Sequence, residues 1–90
     1  MNVTRHVVVR GRVQGVGFRD TAVEIAENYF VTGWVKNLAD GRVQLVVEGP
    51  EGEVKRFLEA IRKHWKGSIE KEQVEETLST GRYWGFIVKR

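Results

Sequence analysis

The chain has 90 residues, 41% of them hydrophobic and 30% charged, with a net charge of +3 and no cysteine. That length suits one domain, residues 1–90, around one core, and the balance is that of a globular chain. Disulfides, thiolate chemistry and cysteine-ligated zinc are excluded, and the longest apolar runs, such as Val7–Val9, are far too short for a membrane helix. The N-terminus has no signal-peptide apolar stretch, and a cysteine-free chain suits a reducing cytosol, so a cytoplasmic location is expected. A basic balance favours anionic partners, but a merely well-solvated surface explains it equally well.

In chain order, Thr4 to Arg12 is β-branched with alternating positions and reads as a strand. A loop with two close glycines follows, Val13-Gln14-Gly15-Val16-Gly17-Phe18. From Arg19, the spacing of Ala22, Ile25, Ala26 and Tyr29 predicts an amphipathic helix to about Tyr29, with Asp20 and Thr21 suited to its first turn. Thr32–Leu38 reads as a second strand. Asp40-Gly41 is a tight-turn dipeptide, and Arg42–Glu48 returns with Val43, Leu45 and Val47 on one face. After Gly49-Pro50, Val54, Phe57, Leu58, Ile61 and Trp65 mark a second helix. Gln73–Leu78 is a weak strand and Tyr83–Val88 a stronger one.

This order predicts an α+β fold, a ferredoxin-like βαββαβ sandwich. It has an antiparallel sheet, both helices on one face and room for a fifth strand. In a split βαβ unit the first two strands run parallel, so their C-terminal ends share one edge of the sheet. The glycine loop and Asn37 then converge there. Glycines let backbone N–H groups turn toward an anion, a helix N-terminus adds unpaired donors, and Arg19 adds a fork matched to phosphate oxygens. The same residues also suit a tight strand-to-helix turn beside a surface arginine. Neither P-loop nor G-x-G-x-x-G spacing is present.

Gly11-Arg12-Val13-Gln14-Gly15-Val16-Gly17-Phe18-Arg19, followed by Gly33-Trp34-Val35-Lys36-Asn37-Leu38-Ala39-Asp40-Gly41-Arg42-Val43, resembles the acylphosphatase family. Glu48-Gly49-Pro50 and Phe86–Arg90 are similar to that family's third-strand exit and last strand. The resemblance implies hydrolysis of acyl phosphates to a carboxylate and inorganic phosphate. It places the phosphoryl group on the backbone amides of Gln14, Gly15, Val16, Gly17, Phe18 and Arg19. It gives Arg19 the phosphoryl oxygens and Asn37 the attacking water. Tyr29-Phe30-Val31 and Trp65–Ile69 depart from the pattern but touch neither residue.

The chemistry agrees with the residues present. Alkyl phosphate hydrolysis calls for a leaving-group acid, a metal or a covalent nucleophile. Only His6 and His64 could ligate as imidazoles, and no metal cluster is evident, so no cofactor or metal is expected. An acyl phosphate departs as a stable carboxylate, which leaves positioning and charge stabilisation as the protein's task. Inorganic phosphate and sulfate are expected as competing anions, and a monomer is expected. His6 reads as an ordinary strand residue, His64 as a helix-end cation, and Asp20 as helix-start stabilisation. Trp34 and Trp84 read as packing residues, and Glu70–Glu76 as a solvated face or edge strand. With no RNA-binding signature present, neither nucleic acid nor membrane is an expected partner.

Overall fold

The computed structural model describes residues 1–14 and 17–89. The elements run β1 (Asn2–Gly11), α1 (Phe18–Ala26), β2 (Thr32–Asn37), β3 (Val43–Pro50), α2 (Glu51–His64), β4 (Ile69–Leu78) and β5 (Phe86–Val88). The sheet order is β4-β1-β3-β2-β5. β3 lies antiparallel between β1 and β2, with Val7 opposite Leu45 and Val35 opposite Leu45. β1 and β2 therefore run the same way, as the split βαβ reading requires. This is the ferredoxin-like arrangement.

Both helices cover the sheet face formed by the alternating valines. Val7, Val9, Val43, Leu45 and Val47 are buried there against Phe18, Ala22, Val54, Phe57, Leu58 and Ile61. The helical spacing of α2 is fully used by this face. Trp65 caps its C-terminus and packs its ring on Phe18, 5.1 Å between centroids. α1 stops three residues earlier than its periodicity predicts. Glu27, Asn28 and Tyr29 each donate to a carbonyl three residues back, a tightened last turn that sends Tyr29 toward Phe57. No helix among the described residues is long and apolar enough to cross a membrane.

Two details correct the sequence reading. The sheet is mixed, because β5 pairs with β2 in parallel, Trp34 opposite Ile87. The strand with the better composition, β5, spans only three residues, whereas the charged β4 spans ten. β4 is ordered by its long antiparallel pairing with β1, from Val3↔Leu78 to Gly11↔Ile69. Ladder formation along a neighbouring strand overrides weak intrinsic propensity. β4 takes the edge, where its charges oppose further pairing. The tryptophans are corrected too: Trp84 is 91% exposed, and Trp34 lies half-buried on the face away from the helices.

Glu48 explains the Glu48-Gly49-Pro50 motif. It is buried opposite Thr4 in the β1–β3 register and accepts a hydrogen bond from Thr4 Oγ1. It also accepts from Thr80 N (2.7 Å), Thr80 Oγ1 (3.0 Å) and Gly81 N (2.7 Å). One carboxylate thus pins the β4–β5 connection to the sheet. Burial pushes its pKa up, but the hydrogen bonds from Thr4, Thr80 and Gly81 outweigh that and hold it at about 2, below the ordinary 4.5. A depressed folded-state pKa contributes stability above the ordinary carboxylate range and loses it as the pH falls from 4.5 toward 2. Glu48→Gln should cost on the order of 2 kcal/mol at neutral pH, since its amide N–H₂ would face donors. It should also flatten the fall in melting temperature across that acid window. Thermal melts of both proteins from pH 7 to pH 2, roughly, test this; parallel curves would remove Glu48 from the account.

Candidate anion-binding and active site

Where β1 ends, Gly11 sits at a register shift and Arg12 N donates to Ser68 O at 2.8 Å. Gly11 has φ +144°, and a Cβ there would lie 2.0 Å from Ser68 O, so only glycine lets the two backbones meet. The chain then turns through the loop into α1. Gly17 is its N-cap, in the left-handed region at φ +79°, and no side chain caps the helix. The first bond back into the helix is Thr21 N to Gly17 O at 2.9 Å. The amides of Phe18, Arg19 and Asp20, first-turn donors with no intrahelical acceptor, have no hydrogen-bond partner among the described residues. Positive dipole charge concentrates at the same point. The ring stack of Phe18 on Trp65 anchors this turn to the core.

A cavity of about 190 Å³ opens on these donors, lined by Val13, Gly17, Phe18, Arg19, Asp20 and Asn37. Arg19 is half-buried and makes no ion pair among the described residues. Asn37 closes β2, on the helix-covered side with Gly33 and Val35. Its Oδ1 is buried and lacks a hydrogen-bond partner among the described residues. A buried acceptor left open is costly unless a ligand or water fills it. Phe18, Arg19 and Asn37, separated by up to 19 positions in sequence, thus share one small polar cavity. Of the remaining expected site residues, Gly17 lines it, Gln14 is not among its lining residues, and Gly15 and Val16 fall outside the described residues. His6 and His64 are elsewhere: His6 Nε2 lies 3.4 Å from Thr77 Oγ1, and His64 stands edge-on to Trp65.

Sequence reasoning missed the side chain of Gln14. Its Nε2 donates to the carbonyls of Leu38 (2.8 Å) and Arg42 (2.9 Å). These two residues also pair with each other, Leu38 N to Arg42 O at 2.8 Å, closing the β2–β3 turn. Gln14 therefore clamps the glycine loop to the segment that follows Asn37. A lone amide between Val13 and Gly15, in an otherwise apolar and glycine stretch, was the available signal. Gln14→Leu should lower turnover roughly tenfold while the melting temperature falls by only a few degrees, the scale of one or two neutral hydrogen bonds. Steady-state kinetics beside a thermal melt test that; unchanged turnover would make the clamp irrelevant to the site.

Together the parallel β1 and β2 ends, the uncapped helix start, Arg19 and the open Asn37 acceptor gather one small polar cavity at the edge of a ferredoxin-like domain. The acylphosphatase family model matches residues 5–88. The chain belongs to the acylphosphatase family. It is 53% identical over 58 residues to an acylphosphatase of Bacillus velezensis, a stretch covering 64% of this chain and 64% of that protein. An acylphosphatase of Rubrobacter xylanophilus is 46% identical over 87 residues, 92% of this chain and 76% of that one. The chain thus matches about 64% of the length of the first of these relatives. The crystal structure of acylphosphatase from Bacillus subtilis superposes with a TM-score of 0.89 at 36% identity, covering 98% of this chain and 99% of that one.

Proposed function

We propose that the chain hydrolyses acyl phosphates to a carboxylate and inorganic phosphate. The observation that carries this reading is one cavity holding the uncapped amides of α1, Arg19 and the open Oδ1 of Asn37. The amides of Gly17, Phe18 and Arg19 and the Arg19 guanidinium hold the phosphoryl oxygens. Asn37 Oδ1 accepts a hydrogen bond from water and directs its oxygen at phosphorus. The P–O bond to the acyl group breaks as the water oxygen bonds to phosphorus, and the bond's electron pair leaves on the carboxylate. Because that carboxylate is a stable anion, no acid needs to protonate it. In a loose transition state the water forms little bond early, so its proton leaves late, to a phosphate oxygen or to solvent. The protein's share is orientation and charge stabilisation, paid for in advance by the fold.

Hydrolysis of benzoyl phosphate in the presence of a chelator tests the reading directly. Turnover that survives chelation is expected; turnover lost and restored by one added metal would overturn the cofactor-free mechanism. Inorganic phosphate and sulfate should inhibit competitively, because the cavity recognises the tetrahedral anion whatever it carries. Phosphate should also raise the melting temperature, following RT ln(1 + [L]/Kd). A flat melting temperature up to tens of millimolar phosphate, roughly, would argue against a preformed anion site.

A further inference from the structure

The sheet face away from the helices carries the β4–β5 connection at its Thr4–Glu48 end, where Thr4, Val46 and Glu48 are buried, and its residues form rows across the strands that the register defines. One end of that face is a cleft of about 110 Å³ lined by Val8, Arg10, Arg42, Lys71 and Gln73, with three cations and no carboxylate. Arg10 and Lys71 face each other across the β1–β4 ladder, and neither has an ion-pair partner among the described residues. Arg42 gives its Nε to Asp40 (2.7 Å), which leaves the rest of its guanidinium for a ligand. The basic band continues through Lys36, which pairs with Gln44, to Lys89, whose N donates to Val35 O. Arg10 and Lys71, like charges brought together without counter-charges among the described residues, repel one another, and an anion that binds them relieves that cost.

The next row runs from Glu75 on β4 through His6 and the buried Val46 to Trp34 and Ile87, and its β2–β5 end is apolar and aromatic. Ile87 is 56% exposed, and Lys89 Nζ rests 4.6 Å from the Trp34 ring centroid, an exposed cation that a base can displace. With strands about 4.8 Å apart, the band crosses roughly 19 Å of sheet, long enough for several phosphates. We propose that this open face binds single-stranded nucleic acid, its phosphates along Lys71, Arg10, Arg42 and Lys36 and a base on Trp34. The pairing of a cationic track with a stacking ring favours a single strand, whose bases are free to stack. An acidic polypeptide offers the charge but no bases, and a duplex keeps its bases stacked internally. The missing RNA-binding signature excludes one family of sheet motifs, and this face is built from other residues. The site is separate from the phosphate cavity, because Arg10 and Asn37 lie on opposite faces of the sheet.

The test is fluorescence anisotropy of a labelled oligo(dT) or oligo(U) 15-mer, roughly, against the full chain over a salt series. Binding should weaken linearly in log–log form with salt. Arg10→Gln and Lys71→Gln should each lower affinity severalfold and reduce the slope by about 0.7 for every phosphate no longer held, without changing acyl phosphate hydrolysis. Trp34→Leu should lower affinity about tenfold at unchanged slope, and Trp34→Phe should restore most of it. Arg19→Ala should bind the oligonucleotide like the parent. No salt-dependent binding would overturn the proposal. So would equal competition by polyglutamate with no effect of Trp34→Leu, which marks an acidic-protein surface. Loss of binding in Arg19→Ala would assign the oligonucleotide to the phosphate cavity instead.

Discussion

Arg19→Ala is expected to reduce turnover about 10³-fold or more, the scale of other phosphoryl-transfer arginines, and to weaken inorganic phosphate binding as well. Arg19 stands at the second position of α1 and lines the cavity with the unpaired amides. In the proposed mechanism it holds a phosphoryl oxygen both before the reaction and in the transition state, where charge is spread over the equatorial oxygens. Removing it therefore raises KM and lowers kcat together. The fold should survive, because the half-buried guanidinium makes no ion pair among the described residues. A variant that kept parental phosphate affinity would take Arg19 out of the anion site.

Asn37→Ala should separate from this cleanly. In the proposed mechanism its open acceptor serves the water and not the phosphate, so phosphate affinity should stay close to the parent's. Turnover should fall on the order of 10²–10³-fold, the loss of one well-placed polar group at a transition state. Stability should change little or rise slightly, since a buried oxygen without a partner is removed. Phosphate titration, steady-state kinetics and a thermal melt on both variants decide the matter. Normal turnover in Asn37→Ala, or a loss of phosphate binding as severe as that of Arg19→Ala, would reverse the assigned roles.

The Gln14 clamp links the two experiments. If Gln14 acts by holding Asn37 against the loop, Gln14→Leu should add little to the defect of Asn37→Ala. Residues that act as a unit are not additive. Its effect in the Arg19→Ala background should persist.

The elements with strong periodicity were legible from the residues alone. The α2 face from Val54 to Ile61 and the Asp40-Gly41 turn between β2 and β3 needed no tertiary information, because their signals repeat within a few residues. So was the meeting of the glycine loop with Asn37, which follows from β1 and β2 running parallel in a split βαβ unit. What the sequence could not determine was every feature that depends on which strand becomes whose neighbour. β4 has poor strand composition and becomes long because β1 offers it a ladder; β5 has good composition and stays short beside β2. Trp34 and Trp84 have the composition of core residues, but strand alternation and the loop path leave one on the open face and the other in solvent. In the sequence Glu48 is only part of a motif resemblance; its role appears when Thr4, Thr80 and Gly81 close on it, and Gln14 becomes a clamp only when Leu38 and Arg42 come within reach. Hydrophobic period is a local property of the chain, whereas the side-chain partners of Gln14 and Glu48 lie 24 or more positions away, and only the folded sheet brings them together.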